Sequence, residues 1–437
     1  MTTDLLLGLD VGTTSCKAAV VTLEGEEVAH GQAPLQWTGV PTGAEIAPTG
    51  FLACALAAAR EALAAAPGGD VRVAGLGVSS MAETGVLLDG HGEPVTHAIA
   101  WYDSRGEAES DRLAEQVGRE RFAAATGLSP RALRTVAKYR WLRDNVPGAE
   151  RGVRWLSVGD WLVHRLGGDQ GAELSLASRT GWLDLHARAW WDETLEWSGA
   201  PDSLLPEPAV AGTPLGRVDG AILGEARGAV LAVGGHDHLS AAVGAGAVGE
   251  GDVLDSWGTA EAFVRAVAPL SPEQVNQAVA AHITVGWHAV PDRQNLLGAT
   301  RSGAALGRVL ALLGVTREGR DELERAALEC DPTAGGIELR GLDDYRIELA
   351  NIGADPTPAL VWRASLESAG RAASDILDRM ASVAGPHGRL VMAGGWSEGV
   401  AAQAVKEAHV GPFERSDAVF MGARGAAIAA GRAAQLL

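Results

Sequence analysis

Cysteine is scarce in this chain: Cys16, Cys54 and Cys330 are spread over 437 residues. An odd, widely separated set makes neither a disulfide framework nor a zinc cluster, so a reducing cytoplasm is the expected location. Long apolar runs are missing too. No stretch approaches the ~20 residues needed to span a bilayer, and the alanine-rich runs are broken by Arg60 and Glu61 or by Arg371 and Asp375. The start, Met1-Thr2-Thr3-Asp4, has no basic region, apolar core or small-residue cleavage site and does not read as a signal peptide. Lysine occurs only at Lys17, Lys138 and Lys406, and the formal charge is −19. So acidic a surface repels nucleic acid and anionic membranes, which excludes both as expected partners.

What is present suits a large α/β enzyme. The length allows two or three domains with cores that need no cross-links. Leu5–Asp10, Lys17–Thr22 and Glu26–His30 read as strands, with a turn at Glu24-Gly25, then Phe51–Ala65 as a helix closed by Pro67-Gly68-Gly69, then Val73–Ser79 as a buried strand. Three antiparallel strands, a helix and a returning strand is how an actin-like, ribonuclease H-like lobe begins. Helical spacing recurs at Arg105–Val117 and Thr135–Asn145. A second lobe is expected to open with strands in Asp252–Val264 and continue through helices at Ser302–Leu313 and Leu360–Val383. A strand at Arg389–Ala393, a last strand at Val419–Gly422 and a last helix at Ala423–Gln435 complete it. The expected fold is thus α/β, two such lobes with a catalytic cleft between them, divided into residues 1–245 and 246–437.

Three segments carry chemistry. The apolar strand Ala229–Val233 ends in Gly234-Gly235 and presents Asp237 between His236 and His238, a candidate general base. The two histidines alternate around it, but without third and fourth ligands they make a poor zinc site. Leu5–Asp10 runs into Val11-Gly12-Thr13-Thr14-Ser15-Cys16-Lys17, a turn dense in backbone N–H groups and hydroxyls that suits phosphate, with Lys17 adding charge. Asp10 at the strand end can hold Mg2+, which prefers a few carboxylates plus phosphate oxygens. Leu254-Asp255-Ser256-Trp257-Gly258-Thr259 echoes that turn and again leads into an apolar stretch. Two similar loops about half a chain apart suggest two lobes closing on one nucleotide.

These segments resemble the FGGY carbohydrate kinases, of the actin, hexokinase and heat-shock chaperone ATPase group. Leu9-Asp10-Val11-Gly12-Thr13-Thr14-Ser15 is similar to the family's first phosphate motif and Gly258-Thr259 to its second. Lys138-Tyr139-Arg140-Trp141-Leu142 and Trp362-Arg363-Ala364-Ser365-Leu366-Glu367 resemble its two signatures, and Gly234-Gly235-His236-Asp237 its catalytic segment. Gly394-Gly395 is similar to the adenosine-contacting turn, although Trp396-Ser397-Glu398 follows where members often carry Arg or Lys. The resemblance implies ATP and Mg2+ as cofactors, Asp237 as the base, and Asp10 and Asp237 near the metal. It places Thr13, Thr14, Lys17, Gly258, Thr259, Gly303, Gly394 and Gly395 on the nucleotide.

On the sugar side it implies Met81, Ala82, Glu83, Trp101, Asp103, His236 and Asp237. Glu83 can accept hydrogen bonds from hydroxyls, and Trp101 can pack on the C–H face of a carbohydrate while Asp103 receives hydroxyl protons. The same Asp103 or Ser104 can instead cap the helix that starts near Arg105. The implied reaction is phosphorylation of a primary hydroxyl of a small sugar or polyol, with a ketopentose such as xylulose first. A deoxyketohexose is the alternative, because Gly235-His236-Asp237 with the Asp255–Thr259 segment also resembles fuculose and rhamnulose kinases. A nucleotide-binding regulatory protein without kinase activity is the alternative of another class, since fold does not fix function. A homodimer is left open.

Overall fold

A computed structural model describes residues 3–68, 71–316, 319–343 and 346–437. The apolar run after Asp4 forms the strand Thr3–Val11, which pairs antiparallel with Ser15–Val21, and that strand with Glu27–Pro34. Val71–Ser80 then adds parallel to Thr3–Val11, and Val230–His236 parallel to Val71–Ser80. Such central strands are covered on both faces and therefore read as continuous apolar sequence. Alternation assigns the faces. Leu5, Leu7 and Leu9 share a core with Phe51, Ala55 and Ala58 of the helix Thr49–Ala65. Leu6 points the other way, into a cluster with Ala423 and Ala427.

That second face is covered by the helix Met421–Ala433 from the far end of the chain. A Cβ at Gly8 would lie 1.7 Å from the carbonyl oxygen of Ala423, and one at Gly77 1.9 Å from that of Ala426. These strand glycines are needed because a helix backbone lies directly on them.

The second sheet repeats the plan. Val253–Trp257, Glu261–Val267 and Gln294–Thr300 run antiparallel, Leu390–Ala393 adds parallel to the first of them, and Glu414–Arg415 parallel to that. Thr284–Trp287 extends the antiparallel edge. The two similar loops are thus the first hairpin turn of each sheet. In the first half the helix after the fifth strand, Asp237–Gly244, shares a core with Leu254, Val264, Val391 and Ala393 of the second sheet. Met421–Ala433 makes the reverse crossing. The two helices touch where Ser240 Oγ donates to the Gly422 carbonyl at 2.8 Å.

Between Gly85 and Trp197 lies a mainly helical region with its own core of Leu113, Phe122, Tyr139, Trp155 and Trp182. It reaches the second sheet, where the Val285 N–H donates to the Gly127 carbonyl at 2.9 Å and the Trp287 N–H to Ser178 Oγ at 3.0 Å.

The helix Thr135–Asn145 has the bounds expected from its pattern. The helical spacing at Arg105–Val117 resolves into an α-helix Glu107–Leu113, a π turn Ala114–Gly118 and a further α-helix Arg119–Thr126. The strand expected at Val419–Gly422 does not form, because the last helix begins at Met421 and the last strand is Glu414–Arg415. Val419 is 63% exposed, and the Val419 and Phe420 N–H groups donate to the Glu27 carboxylate at 2.9 and 3.2 Å instead of to a sheet partner. Gly69, expected in the stop after the first helix, lies outside the described residues.

Candidate active site

The strand Val230–His236 delivers Asp237 to the first turn of the helix Asp237–Gly244. Gly235 adopts φ 98, a left-handed bend that re-aims the chain at the sheet edge. Asp237 Oδ1 accepts the His238 N–H at 2.7 Å and stands 3.1 Å from His236 Nε2. The carboxylate is 24% exposed. Burial raises its pKa, the Glu83 charge adds to that, and His238 and Arg179 oppose it.

Asp10 ends the strand Thr3–Val11, its Oδ1 accepting Ser79 Oγ at 3.0 Å. Burial, and then the charge of Asp237, push Asp10 up to about 6, against the pull of Lys17 and Ser79. The two carboxylates thus lie close enough to repel each other. A divalent cation between them would relieve that repulsion, so the pair fits Mg2+.

The two candidate phosphate turns are the first hairpin turn of each sheet. In the first, the Gly12 N–H donates to the Ser15 carbonyl at 3.1 Å, Trp37 Nε1 to the Thr13 carbonyl at 2.7 Å and Trp101 Nε1 to Thr13 Oγ1 at 2.9 Å. Thr14 is exposed, and Lys17 lies over the Phe420 ring at 5.4 Å. In the second turn Gly258 is half-buried and Thr259 exposed, and the Ala304 N–H donates to the Thr259 carbonyl at 2.8 Å. Gly303 sits so close that a Cβ would fall 1.8 Å from the Gly258 oxygen, and one at Gly394 would fall 2.4 Å from the Trp257 oxygen. Gly303, Gly394 and the Gly258-Thr259 turn are thus brought together. A cavity of about 530 Å³ opens beside them, lined by Gly258, Thr259, Arg320, Gly395, Trp396 and Glu398. The Arg320 guanidinium lies over the Trp396 ring at 4.7 Å.

Beneath the second turn is a buried ionic network that the sequence reading missed. Lys406 bonds Glu261 and lies 3.2 Å from Asp255, while Ser302 Oγ donates to Glu261 Oε2 at 2.5 Å and accepts from Trp257 Nε1 at 3.0 Å. Burial pulls Lys406 down, but the two carboxylates outweigh it and hold the amine above its ordinary value. Burial pushes Asp255 up to about 8, against the charge of Lys406. The available signal was Asp255 and Glu261, each the lone acid of an apolar strand.

Just after the strand Val71–Ser80, Met81 and Ala82 are buried. Glu83 has φ 60, a conformation uncommon outside glycine and one that collects at functional sites. Its Oε1 takes Arg134 Nη1 at 2.8 Å and Arg179 Nη2 at 2.7 Å, and Arg179 Nη1 reaches Thr284 Oγ1 at 2.9 Å. Neither arginine was foreseen. Trp101 is half-buried, its carbonyl and that of Ala100 each accepting Lys138 Nζ at 2.6 Å. Burial holds that lysine down at about 7. The Asp103 carboxylate is fully enclosed and accepts from the Arg105 N–H and side chain at 2.9 to 3.0 Å. Burial opposes its charge, yet Arg105 keeps the carboxyl below its usual value. Asp103 therefore fixes the turn that carries Trp101.

Residues 5–244 match the model of the FGGY family of carbohydrate kinases, N-terminal domain. The chain belongs to the FGGY carbohydrate kinase family. A xylulose kinase of Streptomyces coelicolor is 31% identical over 415 residues, 91% of this chain and 81% of that protein. A xylulose kinase of Streptomyces rubiginosus is 34% identical over 72% of this chain, and a glycerol kinase of Acidovorax is 35% identical over 58%. The chain spans 64% and 52% of the lengths of those two. Among solved structures, xylulose kinase from Rhodospirillum rubrum superposes with TM-score 0.89 at 24% identity, covering 98% of this chain and 89% of that one. Plasmodium falciparum glycerol kinase with ADP gives TM-score 0.87 at 17% identity, covering 100% and 90%. These likenesses establish the two-lobed α/β FGGY architecture. No helix among the described residues is long and apolar enough to cross a membrane.

Proposed function

We propose that this FGGY protein transfers the γ-phosphoryl group of ATP to a primary hydroxyl of a small sugar or polyol, with a ketopentose such as xylulose as first choice. The observation that supports the reading is the electrostatic coupling of Asp10 and Asp237, with the Thr13-Thr14 turn following the Asp10 strand and the like Gly258-Thr259 turn at the same place in the second sheet. Asp237 takes the proton of the sugar hydroxyl as that oxygen bonds to the γ-phosphorus, and the bond from phosphorus to the bridging oxygen breaks, releasing ADP. Mg2+ bound near Asp10 and Asp237 supplies positive charge to the phosphates. Positioning and charge stabilisation do most of the work, since phosphoryl transfer asks little covalent chemistry of the protein.

Thr13, Thr14, Lys17, Gly258 and Thr259 hold phosphates in this reading, and Gly303, Gly394 and Gly395 border the nucleoside. Glu83, Trp101 and His236 line the sugar side, backed by Met81, Ala82 and Asp103. The lobes divide near residue 245, with Met421–Ala433 returning to the first. The xylulose kinases among the relatives support the ketopentose, and the glycerol kinases support a polyol as the second reading. A cytoplasmic location is in keeping with the three unpaired cysteines.

ADP formation with D-xylulose, L-fuculose, L-rhamnulose, glycerol and gluconate tests this. The ketopentose is expected to give the highest kcat/KM, and Asp237→Asn to bind ATP yet lose ~10²–10⁴-fold in sugar-dependent turnover. ADP release stimulated by none of the five, or an undiminished rate in Asp237→Asn, sinks the reading.

A further inference from the structure

The Thr13 hydroxyl has one proton to give and can accept from others, whereas an indole N–H can only donate. Trp101 Nε1 donates to Thr13 Oγ1 at 2.9 Å, so that oxygen's own proton must point elsewhere. Trp37 Nε1 holds the Thr13 carbonyl at 2.7 Å and fixes the backbone of the turn. The indole of Trp101 is itself fixed through its main chain, where Lys138 Nζ, a fully buried amine, holds its carbonyl at 2.6 Å. Trp101 thus joins the wall that carries Glu83 and Asp103 to the turn beside Asp10, and does so through one side-chain bond.

We propose that Trp101 is a positioning residue that aims the Thr13 hydroxyl proton into the cleft, where it donates to a nucleotide phosphate oxygen. The proposal rests on the reading of the Thr13-Thr14 turn as a phosphate site. It adds that the aromatic wall on the sugar side sets the donor geometry on the nucleotide side. A sugar packed on the Trp101 face then steadies the indole and, through it, the Thr13 donor, so the two substrates favour each other's binding. Such coupling is reciprocal by thermodynamic necessity.

Calorimetric titration of the full chain with the non-hydrolysable ATP analogue AMP-PNP and Mg2+, without sugar, tests the link in four proteins: wild type, Trp101→Phe, Thr13→Val and the double variant. Phenylalanine keeps the ring and removes the N–H, and valine keeps the shape and removes the hydroxyl. Each single change is expected to weaken AMP-PNP about tenfold, the scale of one hydrogen bond to a charged group. The double variant is expected to bind within about twofold of Thr13→Val, because the two side chains act as one unit. Trp37→Phe serves as the control. Its bond runs to the backbone, so its loss is expected to persist in the Thr13→Val background. Wild-type affinity in Trp101→Phe overturns the proposal, and so does a double variant whose loss is the product of the two singles, which marks Trp101 as packing only. A wild-type protein that binds no AMP-PNP overturns the phosphate reading of the turn and the proposal with it.

Discussion

Replacing Asp10 with asparagine is expected to stabilise the metal-free protein at pH 7.5 while ending catalysis. Burial and the facing Asp237 charge raise the Asp10 carboxyl from its ordinary 3.8 to about 6. At about 1.4 kcal/mol for each tenfold change in ionisation, its charged form is about 3 kcal/mol less stable in the folded protein than in the unfolded chain. The sign follows from the folded value lying above the unfolded one. Below about pH 4 both states are protonated and nothing is lost, the penalty grows between about pH 4 and 6, and above that it is present in full. Asp10→Asn removes it, so the variant's advantage should be about 3 kcal/mol at pH 7.5 and about half of that at pH 5. Urea unfolding in EDTA, followed by tryptophan fluorescence at both pH values, measures the difference. Mg2+ with AMP-PNP should then narrow the gap by stabilising the wild type selectively. Equal stabilities at pH 7.5, or a wild type more stable than the variant, would refute the reading of Asp10 as a desolvated carboxylate held close to Asp237.

His236 is expected to act by holding Oδ1 of Asp237, leaving the other oxygen for the sugar hydroxyl. His236→Leu should lower kcat about tenfold, and His236→Gln, which keeps a donor, should stay within about threefold. Equal losses in the two variants, read from steady-state kinetics, would remove that role. Gly8→Ala places a methyl 1.7 Å from the Ala423 carbonyl oxygen, a backbone atom that cannot turn aside. A cost of about 1–3 kcal/mol or more is expected, seen as a lower melting temperature, and an unchanged transition would mean that the last helix can shift on its seat.

How far the sequence could be read depended on whether the cause was local. The strand Thr3–Val11 and the helix Thr135–Asn145 were legible because an apolar run and a 3.6-residue period are properties of neighbouring residues. The Thr13 and Gly258 turns and Asp237 were legible for the same reason, each following an apolar strand directly. Arg134 and Arg179 were not. They meet Glu83 from 51 and 96 residues away, and nothing near either one announces the contact. The Lys406, Glu261 and Asp255 network was hidden in the same way, since charges within apolar runs identify a partner only once the fold brings it in. Val419–Gly422 misled for a different reason. A short apolar run followed by glycine suits a strand end, but Glu27 captures the backbone N–H groups and the small residues beyond it begin a helix.

The exchange of helices between the sheets governs how the protein can be made and divided. Residues 5–244 expressed alone would leave the strip around Gly8 and Gly77 without the helix seated on it, a bare apolar floor prone to self-association. On the ribosome that surface stays open until residues 421–433 have emerged, so the strands around Gly8 and Gly77 are covered only when that helix arrives. Trimming a few turns from the distal end should therefore be felt first at Leu6 and Gly75, on which Gly431 and Ala430 sit.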